Sequence, residues 1–385
     1  MHFSAKIVGI AALLAVTGCS TISKYNPFSS KTESKHPPAA LQEFKPSMAI
    51  KQAWSASVGN AGVYVFTPAQ VGEFVYAAGA DGTVAKLEAS NGRSAWRINA
   101  GMPLTAGVGA DANTIAVAGQ KGFVLAFDND GKLRWKVQAS SEILSAPAVG
   151  QGLVIVRSID NKIAAYDIES GTRKWTVDRP LPTLILRTVP GITIADQLVI
   201  VALPGGRLAA LSINNGGLRW EIAAGDPKGA TELERIADVS GTPIVMGREV
   251  CTVAYQGRVG CYDLVSGAVR WAKNLSSDVG VSVDERFVFA ADDQGAVSAF
   301  SRAAGASAWK NDKLAHRRLS TPTSFGRAVA VGDSFGYVHF LSREDGSFIG
   351  RINTDGSQIV SAPLVAGSNL IVQTKSGAVV ALAAE

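Results

Sequence analysis

Two cysteines ten residues apart, Cys251 and Cys261, and two histidines, His316 and His339, are the scarce reactive side chains beyond position 50. A redox-active pair needs the Cys-x-x-Cys spacing that tunes one thiolate against the other, and these two lack it. They flank a turn at Gln256-Gly257, which sets them opposite each other across antiparallel strands. In other copies of the repeat described below, the same column holds small or apolar pairs: Ile155 with Ala165, Ile200 with Ala210, Ala116 with Ala126. That favours two buried free thiols packing as small hydrophobes, while an oxidising compartment leaves a disulfide open. His2 and His36 complete the four histidines, and none stands at metal-ligand spacing from another His, Cys or carboxylate. His316-Arg317-Arg318 reads as a solvated basic loop. No Gly-x-Ser-x-Gly, P-loop or dinucleotide fingerprint is present. The expectation is a protein without catalytic, metal or cofactor residues.

The elements that carry these residues come from one repeat. All seven tryptophans fall in a single column, Trp54, Trp96, Trp135, Trp175, Trp220, Trp271 and Trp309. Four residues before six of them stands a glycine: Gly92, Gly131, Gly171, Gly216, Gly267 and Gly305. Thirteen or fourteen before stands another turn residue: Gly82, Gly122, Asn161, Gly206, Gly257 and Gly295. Asn161 is the substitute expected where φ must be positive. A seventh copy runs through Gly336, Gly346 and Gly350 without its tryptophan, and an eighth begins at Gly377.

A period near 40 with four short strands per unit is the signature of a β-propeller. In the third copy the strands are expected at 143–149, 153–157, 163–167 and 173–177. The second strands are continuously apolar, as in Leu153-Val154-Ile155-Val156 and Leu198-Val199-Ile200-Val201. Continuous apolarity means burial on both faces. The last copy stops before its tryptophan strand, and the segment around Trp54 has that strand with no hairpin before it. Pairing the two closes an all-β, eight-bladed ring over 47–385 and removes two open sheet edges.

Ahead of the ring, residues 1–18 read as a secretory signal: Lys6, the apolar run from Ile7 to Val16, then small residues. Val16-Thr17-Gly18-Cys19 resembles the bacterial lipobox, in which the cysteine is acylated and becomes the first mature residue. In that resemblance Ser20, in place of an aspartate, implies the outer membrane. Residues 19–46 are rich in Ser, Lys and Pro and read as a flexible, lipidated tether.

Composition narrows the class further. With 47% hydrophobic and 18% charged residues the chain seeks burial and is not disordered. The net charge of +5 is spread without Lys/Arg clusters, so no nucleic-acid partner is expected. No apolar run past the N-terminus approaches the ~18 residues of a membrane span.

The string from Ala165 to Trp175, repeated with substitutions at 210–220 and 261–271, resembles the tryptophan-docking repeat of pyrroloquinoline-quinone enzymes. Two families carry it. Membrane-bound quinoprotein dehydrogenases imply Ca²⁺ ligands, a catalytic aspartate, commonly vicinal cysteines, and long insertions; this chain has no vicinal cysteines and minimal repeats. Lipobox, tether and eight minimal blades together resemble the BamB family over essentially the whole chain. That family consists of lipoproteins of the β-barrel assembly machinery. The resemblance implies a non-catalytic scaffold on the periplasmic face of the outer membrane, lipidated at Cys19. It would dock BamA, and through it the other subunits, and assist unfolded outer-membrane clients. A lipoprotein propeller serving another envelope complex or a polysaccharide is a third reading.

Pure scaffold repeats should be uniform, and two are not. The spacings from Trp175 to Trp220 and from Trp220 to Trp271 are 45 and 51 residues, which places extra length in two adjacent connections on one face. The first holds Leu181-Pro182-Thr183-Leu184-Ile185-Leu186-Arg187, and the second holds residues 231–238. Such apolar residues either pack down on the blade tops or form a docking patch of apolar anchors with Arg and a carboxylate. The family docks BamA through a Leu-x-Leu-Arg stretch and an Asp-rich stretch in the corresponding loops. By resemblance Leu184, Leu186, Arg187 and Asp238 match, whereas the family's second acid falls on Ser240.

Overall fold

The computed structural model describes His2 and residues 36–186, 189–225, 227 and 229–384. The signal at 1–18, Cys19, the tether up to residue 35, and Arg187 lie outside the described residues.

Eight four-stranded antiparallel sheets are present, each in simple up-and-down order. The eighth is built from both ends of the chain: Leu364–Ala366, Asn369–Gln373 and Ala378–Ala384, completed by Ile50–Ser57. The ring is closed as the complementary ends require. The described residues contain one 3-10 turn, Gln120–Gly122, and no helix long and apolar enough to cross a membrane.

The second strand of the third blade, Leu153–Arg157, and its outer strand, Arg173–Asp178, show the two burial regimes that organise each sheet. The former is buried over its first four residues, and the latter turns only Trp175 fully inward. The inner strand is shorter than expected, Ala148–Gly150 rather than 143–149. Pro147 has no N–H to give the ladder, and Ile143 keeps only an isolated bridge to Ser158. Eight apolar clusters fill the eight clefts between neighbouring blades.

Each tryptophan spans one cleft. Its indole Nε1 donates to a backbone carbonyl of the next blade, as Trp175 does to Ile213 at 2.8 Å and Trp220 to Leu264 at 3.0 Å. The ring face then lies on the next blade's turn glycine. A Cβ on Gly92 would come within 2.5 Å of the Trp54 indole, and its φ is +73°. Only glycine satisfies both conditions. A bulge in every outer strand, such as the shift between Ala165 and Tyr166 opposite Trp175, kinks the exposed edge.

The packed unit begins at Pro38, ahead of the boundary expected at residue 47. The Ala39 N–H donates to the Ala315 carbonyl, and the N–H groups of Ser47 and Met48 both reach the Ile349 carbonyl. Arg317 and Arg351 donate to the carbonyls of Ala39 and Gln42 at 2.9 and 3.1 Å. The segment therefore lies along the seventh blade, the one without a tryptophan.

Two expectations are corrected here. Cys251 and Cys261 are joined in a disulfide, with Cα atoms 4.1 Å apart, rather than standing as free thiols. They are directly opposed in the ladder, and adjacent strands bring opposed Cβ atoms within bonding reach. Arg317 is not a solvated loop residue. It is buried, with its Nε 2.7 Å from Asp333, and the same carboxylate oxygen receives His339 Nε2 at 2.9 Å.

Candidate docking site

Both enlarged connections run from one blade's outer strand to the next blade's inner strand. The first, residues 179–191, links Arg173–Asp178 to Ile192–Ala195; the second, residues 224–238, leads from Leu218–Ala223 to Val239–Met246. Part of the second copy's extra length lies in the inner strand itself. Val239–Met246 has eight residues where the third blade's equivalent has three, and its register shifts between Ser240 and Ile244.

Asp238 joins the two connections. It is 4% exposed, and its carboxylate accepts the Leu186 N–H at 2.6 Å and the Gly205 N–H at 2.8 Å. Burial pushes its carboxyl above the usual carboxylate range, against the two backbone donors and the Arg157 charge, which favour the ionised form. The structure thus brings together Leu186 and Asp238, which are 52 residues apart in the chain. Asp238 holds the first connection from beneath and presents no carboxylate to solvent.

The apolar residues divide. Leu181 and Leu184 are 48% and 41% exposed, and Leu233 on the second connection is 69% exposed. Ile185 and Leu186 are half-buried. The stretch therefore carries exposed and half-buried apolar residues side by side. Arg187 lies outside the described residues.

The second connection is shaped by its own short-range chemistry. Thr231 and Glu234 form a capping box: Glu234 accepts the N–H groups of Ala230 and Thr231 at 2.8 and 3.0 Å, and Thr231 Oγ1 accepts the Glu234 N–H at 3.3 Å. These bonds hold the Glu234 carboxyl below its ordinary range. Glu234 is bound into this turn. Ser240 is itself buried and donates to the Ser277 carbonyl at 2.8 Å. The Gln256 amide, oriented with its nitrogen toward them, reaches the carbonyls of Glu234 and Ile236 at 2.6 and 3.2 Å.

Three residues of this site carry no motif in the sequence: Arg157, Asn161 and Gln256. Asn161 alone leaves a trace, as the one non-glycine in its column. Where the inner strands converge, a cavity of about 660 Å³ is lined by Ser145, Gly191, Thr242, Asp278 and Thr321, among others. Burial raises the Asp278 carboxyl above its usual range. Among the described residues no group of three or more His, Cys, Asp or Glu side chains is placed to hold a metal ion.

Comparison with known proteins places this geometry. Residues 51–311 match the family described as outer membrane protein assembly factor BamB. The chain is 44% identical to that factor from Burkholderia pseudomallei over 98% of this chain and 97% of the relative. It is 30% identical to the Escherichia coli factor over 96% and 97%. Its fold matches the crystal structure of BamB from Moraxella catarrhalis with a TM-score of 0.80 and 27% identity, over 87% of this chain and all of the other. A quinohemoprotein alcohol dehydrogenase from Comamonas testosteroni gives a TM-score of 0.66 at 14% identity, over 86% of this chain and 76% of its own, a likeness of fold alone.

Proposed function

The chain belongs to the BamB family of outer membrane protein assembly factors, and from that premise we propose that its two enlarged connections are the surface through which it docks BamA. It is an assembly factor of the outer membrane. In the proposal it is a non-catalytic scaffold, anchored through acylated Cys19 to the periplasmic face, which holds BamA while barrel clients fold and insert. The relatives at this level of identity are assembly factors, and the quinoprotein enzymes share only the ring.

One observation carries the docking assignment. Leu181, Leu184 and Leu233 stand exposed on two adjacent connections that a buried carboxylate ties into one surface. Exposed apolar anchors held on a fixed backbone are what an interface core requires. Arg235 and Glu232, 3.5 Å apart, supply a polar rim.

Affinity purification from solubilised outer membranes tests it. Wild-type protein should co-purify with BamA, and Leu184→Ala should weaken capture by at least tenfold, the loss of one anchor. Leu186→Ala and Arg187→Ala should weaken it too. Leu184 is partly exposed, so its substitution should shift stability by less than about 0.5 kcal/mol. Unchanged capture by all three folded variants would remove the assignment.

A further inference from the structure

The connection that carries Leu184 follows the one blade whose turn glycine is replaced by asparagine. In other blades the connection rests directly on that glycine. A Cβ on Gly206 would come 2.5 Å from the Gly225 carbonyl oxygen, and one on Gly295 would come 2.6 Å from that of Leu314. At Asn161 the backbone keeps the same left-handed conformation, φ 63°, but a side chain stands between turn and connection. It is 1% exposed, and both ends of its amide are engaged. Nδ2 donates to the Pro180 carbonyl at 2.8 Å, and Oδ1 accepts from Arg157 Nη1 at 3.2 Å.

Pro180 is the second residue of the connection, and Leu186, further along it, is held by Asp238. Arg157 braces the Asn161 pin. Its Nη1 holds Asn161, its charge acts on Asp238, and its buried Nε has no hydrogen-bond partner. Three parts of the ring thus meet at one connection: the third blade through Arg157 and Asn161, the fourth through Gly205, and the second connection through Asp238. A buried amide satisfied at both ends, beside a buried carboxylate satisfied twice, is a rigid support for a backbone segment.

We propose that Asn161 is a positioning residue of the docking surface: through its bond to the Pro180 carbonyl it fixes the start of the 179–191 connection, so that Leu184 is held ready for the partner. The proposal rests on the docking assignment above. Were Asn161 needed only for its positive φ, glycine would serve better, and Asn161→Gly would be silent.

That substitution, in the full chain, is the experiment. Amide exchange of Leu186 should accelerate about tenfold, the scale of one lost buried hydrogen bond, while Val199 and Val201 in the adjoining sheet exchange as before. BamA capture should fall about three- to tenfold. Asn161→Asp, which keeps the acceptor for Arg157 and loses the donor for Pro180, should also accelerate Leu186. Unchanged exchange in both variants, or acceleration spread through the fourth blade, overturns the proposal. So does accelerated exchange with undiminished capture. Failure of the wild type to capture BamA would sink the docking assignment instead, and the exchange result, which needs no partner, tells the two apart.

Discussion

Seven clefts of the ring are sealed by an indole, and the eighth is sealed by a different part of the chain. Between the sixth and seventh blades Trp309 is 7% exposed and donates to the Arg343 carbonyl at 2.9 Å. Between the seventh and eighth, the residue in the tryptophan column is Gly350, paired with Phe340. The N-terminal segment crosses there: a Cβ on Gly350 would meet Ile50 and the Met48 carbonyl at 3.2 Å. Met48, 5% exposed, joins the apolar cluster in the indole's stead. Phe44 stacks on Phe348 with ring centres 5.5 Å apart, and Arg351 lies over both rings. The difference teaches that the repeat can seal a cleft from its own outer strand only where no other backbone passes. Where the chain enters the ring, the entering segment does that work and the indole must be absent.

Substitutions that strike one kind of cleft and spare the other sharpen the contrast. Trp309→Ala removes a buried indole and leaves a carbonyl unpaired, and should cost about 3–5 kcal/mol in urea unfolding. Met48→Ala should cost about 2 kcal/mol, and it should also admit protease to residues 38–48, which Trp309→Ala should not. If Met48→Ala changes neither, the segment merely lies on the ring and the two seals are not equivalent.

The smallest effect is electrostatic and confined to the seventh blade. Burial holds the His339 imidazole below its ordinary pKa, with Asp333 opposing that and the Arg351 and Arg317 charges adding to it. Tyr337 and Phe348 are its aromatic neighbours. In the fold it is neutral: Nε2 donates to Asp333, and Nδ1 accepts from Arg351 Nε at 3.1 Å. The unfolded chain takes up a proton near pH 6.5 that the fold refuses, so stability present above that pH is lost as pH falls through the depressed folded value. The Asp333 carboxyl, also lowered, is lost in the same direction at more acid pH. The wild type should therefore lose stability between pH 7 and 5, and His339→Gln, which keeps one donor and one acceptor, should flatten that slope. An equal slope in both proteins would place the acid sensitivity elsewhere.

The ring was legible because its signals are local and repeated. A tryptophan every forty residues, with a turn glycine at a fixed offset, can be counted without knowing where the chain goes. The terminal copies lacked complementary strands, which gave closure as well. The two enlarged connections were legible as departures from that count, and the exposed Leu184 lies on the first of them. Other roles were not. The Asp238 carboxylate, expected to face a partner, is turned inward to the Leu186 N–H, and nothing in residues 231–238 distinguishes an acid that faces solvent from one that holds a neighbouring loop. The cysteine column held apolar pairs in other blades, and identical burial accommodates a disulfide or two thiols. Arg317 and His339 stood in the sequence without partners because Asp333 meets them only once two strands and a connection have packed.

By itself the sequence determined the architecture: repeat length, strand order and burial on both faces follow from short-range periodicity and from indoles that need glycine beneath them. Tertiary structure alone decided which polar groups meet. Asp238 with Leu186, and Met48 in the place of an eighth indole, join residues from distant parts of the chain, and Asn161 meets Pro180 only once its turn and the next connection are folded together. A hydrogen bond or a filled cleft has a direction and a distance that no one-dimensional spacing contains.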